Sequence, residues 1–273
     1  MTTRWFENNN GKISYEDNGS GPLVICIPSV GDLRAEYRFL APRLVEAGYR
    51  VVVMDMRGHG ESSTEWDDFS VVGVGRDLLA LIRHLQAGPA AVVGTSMGAG
   101  AAAWAAVEEP GSISALALIG PAVHGEPSSA AKMLYRALFA RPWGPAVWLT
   151  YYATLYTSRK PQDFAEYKAV LLCNMKEPGR IEATLKMALA TKAASAERLG
   201  GVSAPVRVIM GSKDPDFKDQ EAEARWVAEQ MHGEYIMVEG AGHYPHAEMP
   251  EISTPLVLDF LREHQPQLEK VYA

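Results

Sequence analysis

The stretch Ala91-Val92-Val93-Gly94-Thr95-Ser96-Met97-Gly98-Ala99-Gly100 runs directly into an Ala-rich segment at 101–107. Its apolar half reads as the end of a buried strand, its glycines as a tight turn, and the Ala-rich segment as a helix packed close to the sheet. Ser96 falls at the tip of that turn, in the pattern Gly94-x-Ser96-x-Gly98. Such a turn strains its central residue, and glycine two positions to either side lets strand and helix pass without a clash. A serine placed there meets substrate at the positive end of a helix, where backbone N–H groups can stabilise a developing oxyanion. The same glycines would also suit a turn that cradles a phosphate, so the pattern alone leaves both a nucleophile and an anion site open.

Working outward, the chain of 273 residues with 47% hydrophobic content can bury a large core and fits one α/β unit carrying an insertion. A formal charge of −7 argues against nucleic acid or an anionic membrane as the main partner. The N-terminal residues lack an apolar run of the signal-peptide kind, and no stretch reaches the roughly 18 apolar residues of a membrane span. A soluble, cytoplasmic protein is expected. Cys26 lies in an apolar strand and Cys173 far from it, which disfavours a disulfide framework or a cysteine-held metal.

Upstream of Ser96, residues 5–8 and 12–16 around Asn9-Asn10-Gly11 carry a hairpin signal. Leu23-Val24-Ile25-Cys26-Ile27 is a continuous apolar run of the kind buried on both faces of a parallel sheet. A helix is predicted over 35–47, closed by Gly48, then a strand over 49–55 and a helix over 72–85. Downstream, strands are predicted at 116–119, 205–210 and 234–238, with a final helix over 252–264 and a loose tail over 265–273. Strands alternating with helices at this spacing predict an α/β fold with a doubly wound, mostly parallel sheet. The rhythm stops between 123 and 201, where helical stretches at 132–140, 147–157, 163–174 and 180–194 replace it. Residues 1–122 and 202–273 are therefore assigned to the core, and 123–201 to a helical cap inserted over the carboxyl edge of the sheet.

The cap is rich in aromatic and soft residues, among them Met133, Tyr135, Phe139, Trp143, Trp148, Tyr151, Tyr152, Tyr156 and Met175. Most are expected to pack the cap itself, yet a lid of this composition implies a substrate with an apolar part. His59 is expected to satisfy buried backbone groups, and His84 to be a surface or packing residue.

The motifs Asp55-x-Arg57-Gly58-His59-Gly60-x-Ser62, Gly94-Thr95-Ser96-Met97-Gly98, Gly211-Ser212-Lys213-Asp214 and Gly240-Ala241-Gly242-His243 stand in one order along nearly the whole chain. Together they resemble the α/β-hydrolase family. The resemblance implies a serine nucleophile at Ser96, an acid at Asp214 with Asp216 and Asp219 as rivals, and a base at His243 with His246 as competitor. It also implies an oxyanion hole from the backbone N–H groups of Met97 and Ser29, with Val30 as fallback. The family's usual His-Gly pair is replaced here by Ile27-Pro28, and Pro28 has no N–H to give.

No cofactor and no metal are expected. The histidines lack the spaced carboxylates or cysteines of a zinc site, and the glycines around Ser96 lack dinucleotide spacing. A serine nucleophile also sets the chain apart from haloalkane dehalogenases and epoxide hydrolases, which share the fold but use aspartate. The expected activity is hydrolysis of a small-molecule carboxylic ester through a Ser-His-Asp triad. The alternative is opening of N-acyl homoserine lactones by the same residues. Carbon–carbon bond hydrolysis and perhydrolysis stay open within the family. From another class, a small-molecule sensor would bind or react once without turnover. Oligomeric state is not readable.

Overall fold

The structure is a computed structural model and describes residues 2–8 and 11–264. The strands are β1 (Arg4–Asn8), β2 (Gly11–Asn18), β3 (Leu23–Ile27), β4 (Arg50–Met54), β5 (Ala90–Thr95), β6 (Ile113–Ile119), β7 (Val206–Gly211) and β8 (Glu234–Val238). They form one sheet in the order β1-β2-β4-β3-β5-β6-β7-β8. The hairpin β1-β2 pairs antiparallel, and β2 pairs antiparallel with β4; every pairing from β4 to β8 is parallel. The tip of this hairpin, Asn9-Asn10, lies outside the described residues.

Helices α1 (Leu40–Glu46) and α11 (Pro250–His264) lie on one face, and α2 (Val71–Leu85), α3 (Met97–Glu108) and α9 (Gln220–Gln230) on the other. The alternation within β3 shows why its sequence is apolar throughout. Val24 and Cys26 enter the α1/α11 core while Ile25 and Ile27 enter the α2/α3 core, and all four are fully buried. A strand sandwiched this way has no polar face to spare.

The helix predicted over 35–47 is broken. Residues Arg34–Tyr37 form a 3-10 turn, and α1 starts only at Leu40. Pro42 supplies the reason: it is tolerated in the first turn, but in one continuous helix its ring would collide with the carbonyl of Arg38. The predicted helix at 252–264 is longer, and the short α10 (Pro245–Glu248) precedes it. The tail 265–273 lies outside the described residues.

Between β6 and β7 the chain forms α4 (Ser129–Leu138), α5 (Gly144–Thr154), α6 (Phe164–Lys176), α7 (Arg180–Leu189) and the short α8 (Ala193–Ala196), with no strand. These helices have a cluster of their own, built on Phe139, Trp148, Tyr152, Tyr156, Tyr167 and Leu171, which Tyr244 from the core joins. No helix of the described residues is long and apolar enough to cross a membrane.

Because β3 and β5 are neighbours while β4 and β6 lie outside them, the strand order reverses between β3 and β5. In open sheets of this type ligands sit at such a switch point, beyond the carboxyl ends of the strands. The loops that leave β3, β5, β7 and β8 carry Ser29, Ser96, Asp214 and His243.

Candidate active site

Ser96 stands between β5 and α3 with φ 53° and ψ −116°. A non-glycine residue at positive φ is strained and persists only where its surroundings hold it. Here its N–H donates to Ile119 O at 2.9 Å, and its carbonyl accepts from the N–H groups of Ala122 and Gly100. Close approach explains the flanking glycine: a Cβ on Gly98 would lie 2.5 Å from Ile27 O and 2.6 Å from Pro28 O. The helix start therefore rests on the backbone of the β3 loop, beside the segment expected to supply an oxyanion donor. As the first residue of α3, Met97 carries an N–H with no acceptor inside the helix.

Asp214 and His243 come together from the loops after β7 and β8. His243 Nδ1 donates to Asp214 Oδ2 at 2.6 Å, and both side chains are buried. That bond leaves Nε2 as the free ring nitrogen. The His243 N–H donates to Leu155 O at 2.8 Å, so the end of α5 holds the loop from the far side. Gly120, at φ +48°, passes so close that a Cβ there would lie 3.1 Å from the imidazole and 3.2 Å from Asp214 Oδ2.

Burial by itself would lower the affinity of His243 for a proton. The carboxylates of Asp214 and Asp216 outweigh it and raise its pKa to about 9. Asp216 Oδ2 lies 3.9 Å from His243 Nδ1. Its other oxygen accepts the hydroxyl of Tyr151 on α5 at 2.5 Å. Asp219, the remaining rival, caps α9 by accepting the N–H of Ala222 at 3.0 Å.

The β3 loop already engages one of the expected donors. The N–H of Ser29 donates to Glu36 Oε2 at 2.8 Å, which leaves Val30 as the donor without such a carboxylate partner among the described residues. The fallback, Val30, lines the same cavity as Ser96, and the next N–H along, that of Gly31, donates to His59 Nε2 at 3.0 Å. His59 does what was expected of it: its Nδ1 donates to Arg57 O at 3.0 Å while burial lowers its pKa to about 4, which keeps it a neutral acceptor for the Gly31 N–H. His84 is a packing residue at the surface, stacked on Phe6. His246 sits on α10 and donates from Nε2 to Glu36 Oε1 at 3.1 Å. Glu36, fully buried, thus ties the β3 loop to the segment after His243, and Ser29 Oγ adds a bond to Tyr244 Oη at 2.6 Å. Sequence spacing contains no signal for Glu36; it lies in a stretch that reads as an ordinary amphipathic helix.

Ser29, Val30, Ser96, Met97 and His243 line one cavity of about 590 Å³, closed on its other side by helices α4, α5 and α7. Tyr135, Phe139, Trp148 and Tyr151 line it, whereas Tyr152 and Tyr156 pack inside the helical cluster and Trp143 and Met133 face outward. A larger groove beside α1 and α6, about 960 Å³, contains none of the Ser96, Asp214 or His243 side chains.

For a metal, the donor atoms of Asp214, Asp216 and His243 form the one such grouping among the described residues. Its imidazole nitrogen Nδ1 is already committed to Asp214 at hydrogen-bond distance. The donor set fits a carboxylate–imidazole pair better than a metal centre, since a metal would need that same nitrogen.

A model of the alpha/beta hydrolase fold matches residues 22–177. The chain belongs to the α/β-hydrolase fold family. This α/β hydrolase is 30% identical over 264 residues to BpoC of Mycobacterium tuberculosis, named as a non-heme bromoperoxidase, a match covering 91% of the chain and 97% of the relative. Among solved structures it is similar to a thermophilic esterase from Thermogutta terrifontis, with TM-score 0.83, 23% identity, and coverage of 97% and 100% of the two chains. It is also similar to an enol-lactonase from Burkholderia xenovorans, with TM-score 0.80, 22% identity, and coverage of 94% and 99%.

Proposed function

We propose that this α/β hydrolase cleaves carboxylic esters with Ser96 as nucleophile, His243 as base and Asp214 as its partner. The observation that carries the proposal is the Nδ1–Asp214 bond of 2.6 Å, made by a histidine that lines the same cavity as the strained Ser96. His243 Nε2 takes the Ser96 proton as Oγ bonds to the ester carbonyl carbon, and Asp214 stabilises the imidazolium that forms. Charge developing on the carbonyl oxygen is met by the N–H groups of Met97 and Val30, each worth on the order of 10²–10³ in rate. Nε2–H then protonates the departing alkoxide. Water, deprotonated by the same nitrogen, attacks the acyl-enzyme and releases the acid and free Ser96.

The helical segment 123–201 acts as the cap over this site. Its apolar lining supports a substrate with an acyl chain or ring. A lactone is an ester closed on itself and asks nothing further of these residues. The esterase and enol-lactonase among the similar structures accord with either substrate.

The test is steady-state hydrolysis of p-nitrophenyl esters of graded chain length beside N-acyl homoserine lactones, with wild type and Ser96→Ala. Ester turnover lost in Ser96→Ala supports the proposal. A higher kcat/KM on lactones moves the function to lactone opening. A single round of reaction that then stalls would mark a sensor, and equal inertness of both proteins on both series would sink the catalytic assignment.

A further inference from the structure

The cavity that holds Ser96 and His243 has an apolar wall and, across from it in composition, four further side chains able to carry charge: His124, Lys192, Asp216 and Glu223. Three of them are already partnered by the fold. His124 Nε2 and Glu223 Oε1 lie 2.8 Å apart. Asp216 accepts the Tyr151 hydroxyl and lies beside His243. Lys192 differs. It is partly buried in the connection between α7 and α8, where its backbone N–H reaches Gly125 O, and its ammonium makes no hydrogen bond or ion pair among the described residues. Burial pushes its pKa down, and the charge of Asp216 only partly opposes that.

A cation partly withdrawn from water and without a hydrogen-bonding partner carries a cost, and folds normally pair such groups. A ligand anion would remove the cost. The type of anion follows from the rest of the wall. A dianion such as phosphate would bring two negative charges to one free ammonium beside Asp216, whereas a carboxylate matches a single lysine in charge and reach.

We propose that Lys192 binds a carboxylate on the substrate, so that the preferred substrates are esters or lactones bearing a free carboxylate in addition to the bond that is cleaved. This rests on the ester-hydrolase reading for the word substrate, but the anion site itself is testable without turnover.

The experiment titrates Ser96→Ala protein with the monomethyl half-esters of succinate, glutarate and adipate, and with the matching neutral dimethyl esters, by calorimetry. At least one half-ester should bind roughly tenfold or more tighter than its neutral diester, as expected for a charge-assisted hydrogen bond. Adding Lys192→Met should abolish that preference, and Lys192→Arg should keep most of it. Thermal melts of both variants show whether either has lost its fold. No measurable binding of any half-ester, or a preference that survives in Lys192→Met, overturns the proposal. Turnover of p-nitrophenyl esters by the Ser96 protein is followed in parallel. A binding preference without any turnover would uphold the Lys192 site and count against the ester-hydrolase reading alone.

Discussion

At Ser96 the chain holds a φ of 53° that most residues avoid. A serine in this position serves only if a base is ready to take its proton, and the base has its own electrostatic setting. Two carboxylates, Asp214 and Asp216, raise the His243 pKa to about 9 against the effect of burial, with Glu36 acting in the same direction from the 3-10 turn. Because the base works in its neutral form, kcat/KM should rise as pH increases toward 9. Asp216→Asn removes one of the two carboxylates and should shift that rise to lower pH, while Asp214→Asn should cost on the order of 10⁴ in kcat by losing the tautomer. A pH–rate profile measured for wild type and both variants checks this. A profile unchanged in Asp216→Asn would show that the charge 3.9 Å from Nδ1 does not reach the base.

Elements meet at this site through backbone more than through side chains. α3 starts against the β3 loop, and a methyl group on Gly98 would come within 2.6 Å of two carbonyl oxygens, Ile27 O and Pro28 O. Gly98→Ala should therefore destabilise the protein by about 1–3 kcal/mol, as overpacking does, and lower kcat by displacing Ser96; chemical denaturation and ester kinetics read both. Glu36 joins the β3 loop to α10, accepting from Ser29 N–H and His246 Nε2. Glu36→Ala should release the loop and lower kcat more than it raises KM, since in the proposed reaction the loop meets the oxyanion only in the transition state. A change confined to KM would contradict this.

These elements also show what a sequence can and cannot convey. The strand, turn and helix around Ser96 are local patterns, and β3 was readable residue for residue because a strand buried on both faces must be apolar. The break at Arg38 leaves no periodic signal, because the apolar periodicity runs through it while Pro42 decides the helix start. Ser29 was expected as an oxyanion donor because it follows Pro28 at the end of β3. Its N–H is occupied by a carboxylate seven residues on, a contact that depends on how the 3-10 turn folds back. The Asp214–His243 contact spans 29 residues and was approached through motif order, not through any periodicity. Lys192 carried no sequence signal at all.

Over the whole molecule, three buried groups give stability a distinct dependence on pH. His59, lowered to about 4 from 6.5, contributes stability that is lost as pH falls through that window. Asp32, raised to about 7 from 3.8 by burial and the Glu36 charge, contributes stability that is lost as pH rises. The two oppose one another between about pH 4 and 6.5. Above that, His243 dominates: its pKa is raised from 6.5 to about 9, so its contribution is full below pH 6.5 and lost as pH climbs through 9. The loss is on the order of 3 kcal/mol. Urea denaturation at pH 6.5 and pH 9 should show it, and Asp214→Asn should flatten it. In the proposed reaction, the conditions that free His243 to act as base are thus those that loosen the fold. Equal stability of the wild type at the two pH values would rule this coupling out.

The proposed chemistry stands on Ser96 being a nucleophile activated by His243. Intact-mass spectrometry and peptide mapping after exposure to a fluorophosphonate put this to the test, because the reagent phosphonylates activated nucleophiles, above all an activated serine, and leaves ordinary serines unmodified. One adduct should form, map to Ser96, be absent from Ser96→Ala, and form at least about 10³-fold more slowly in His243→Ala. Labelling at another residue, or labelling that persists undiminished in Ser96→Ala, would rule Ser96 out as the activated nucleophile.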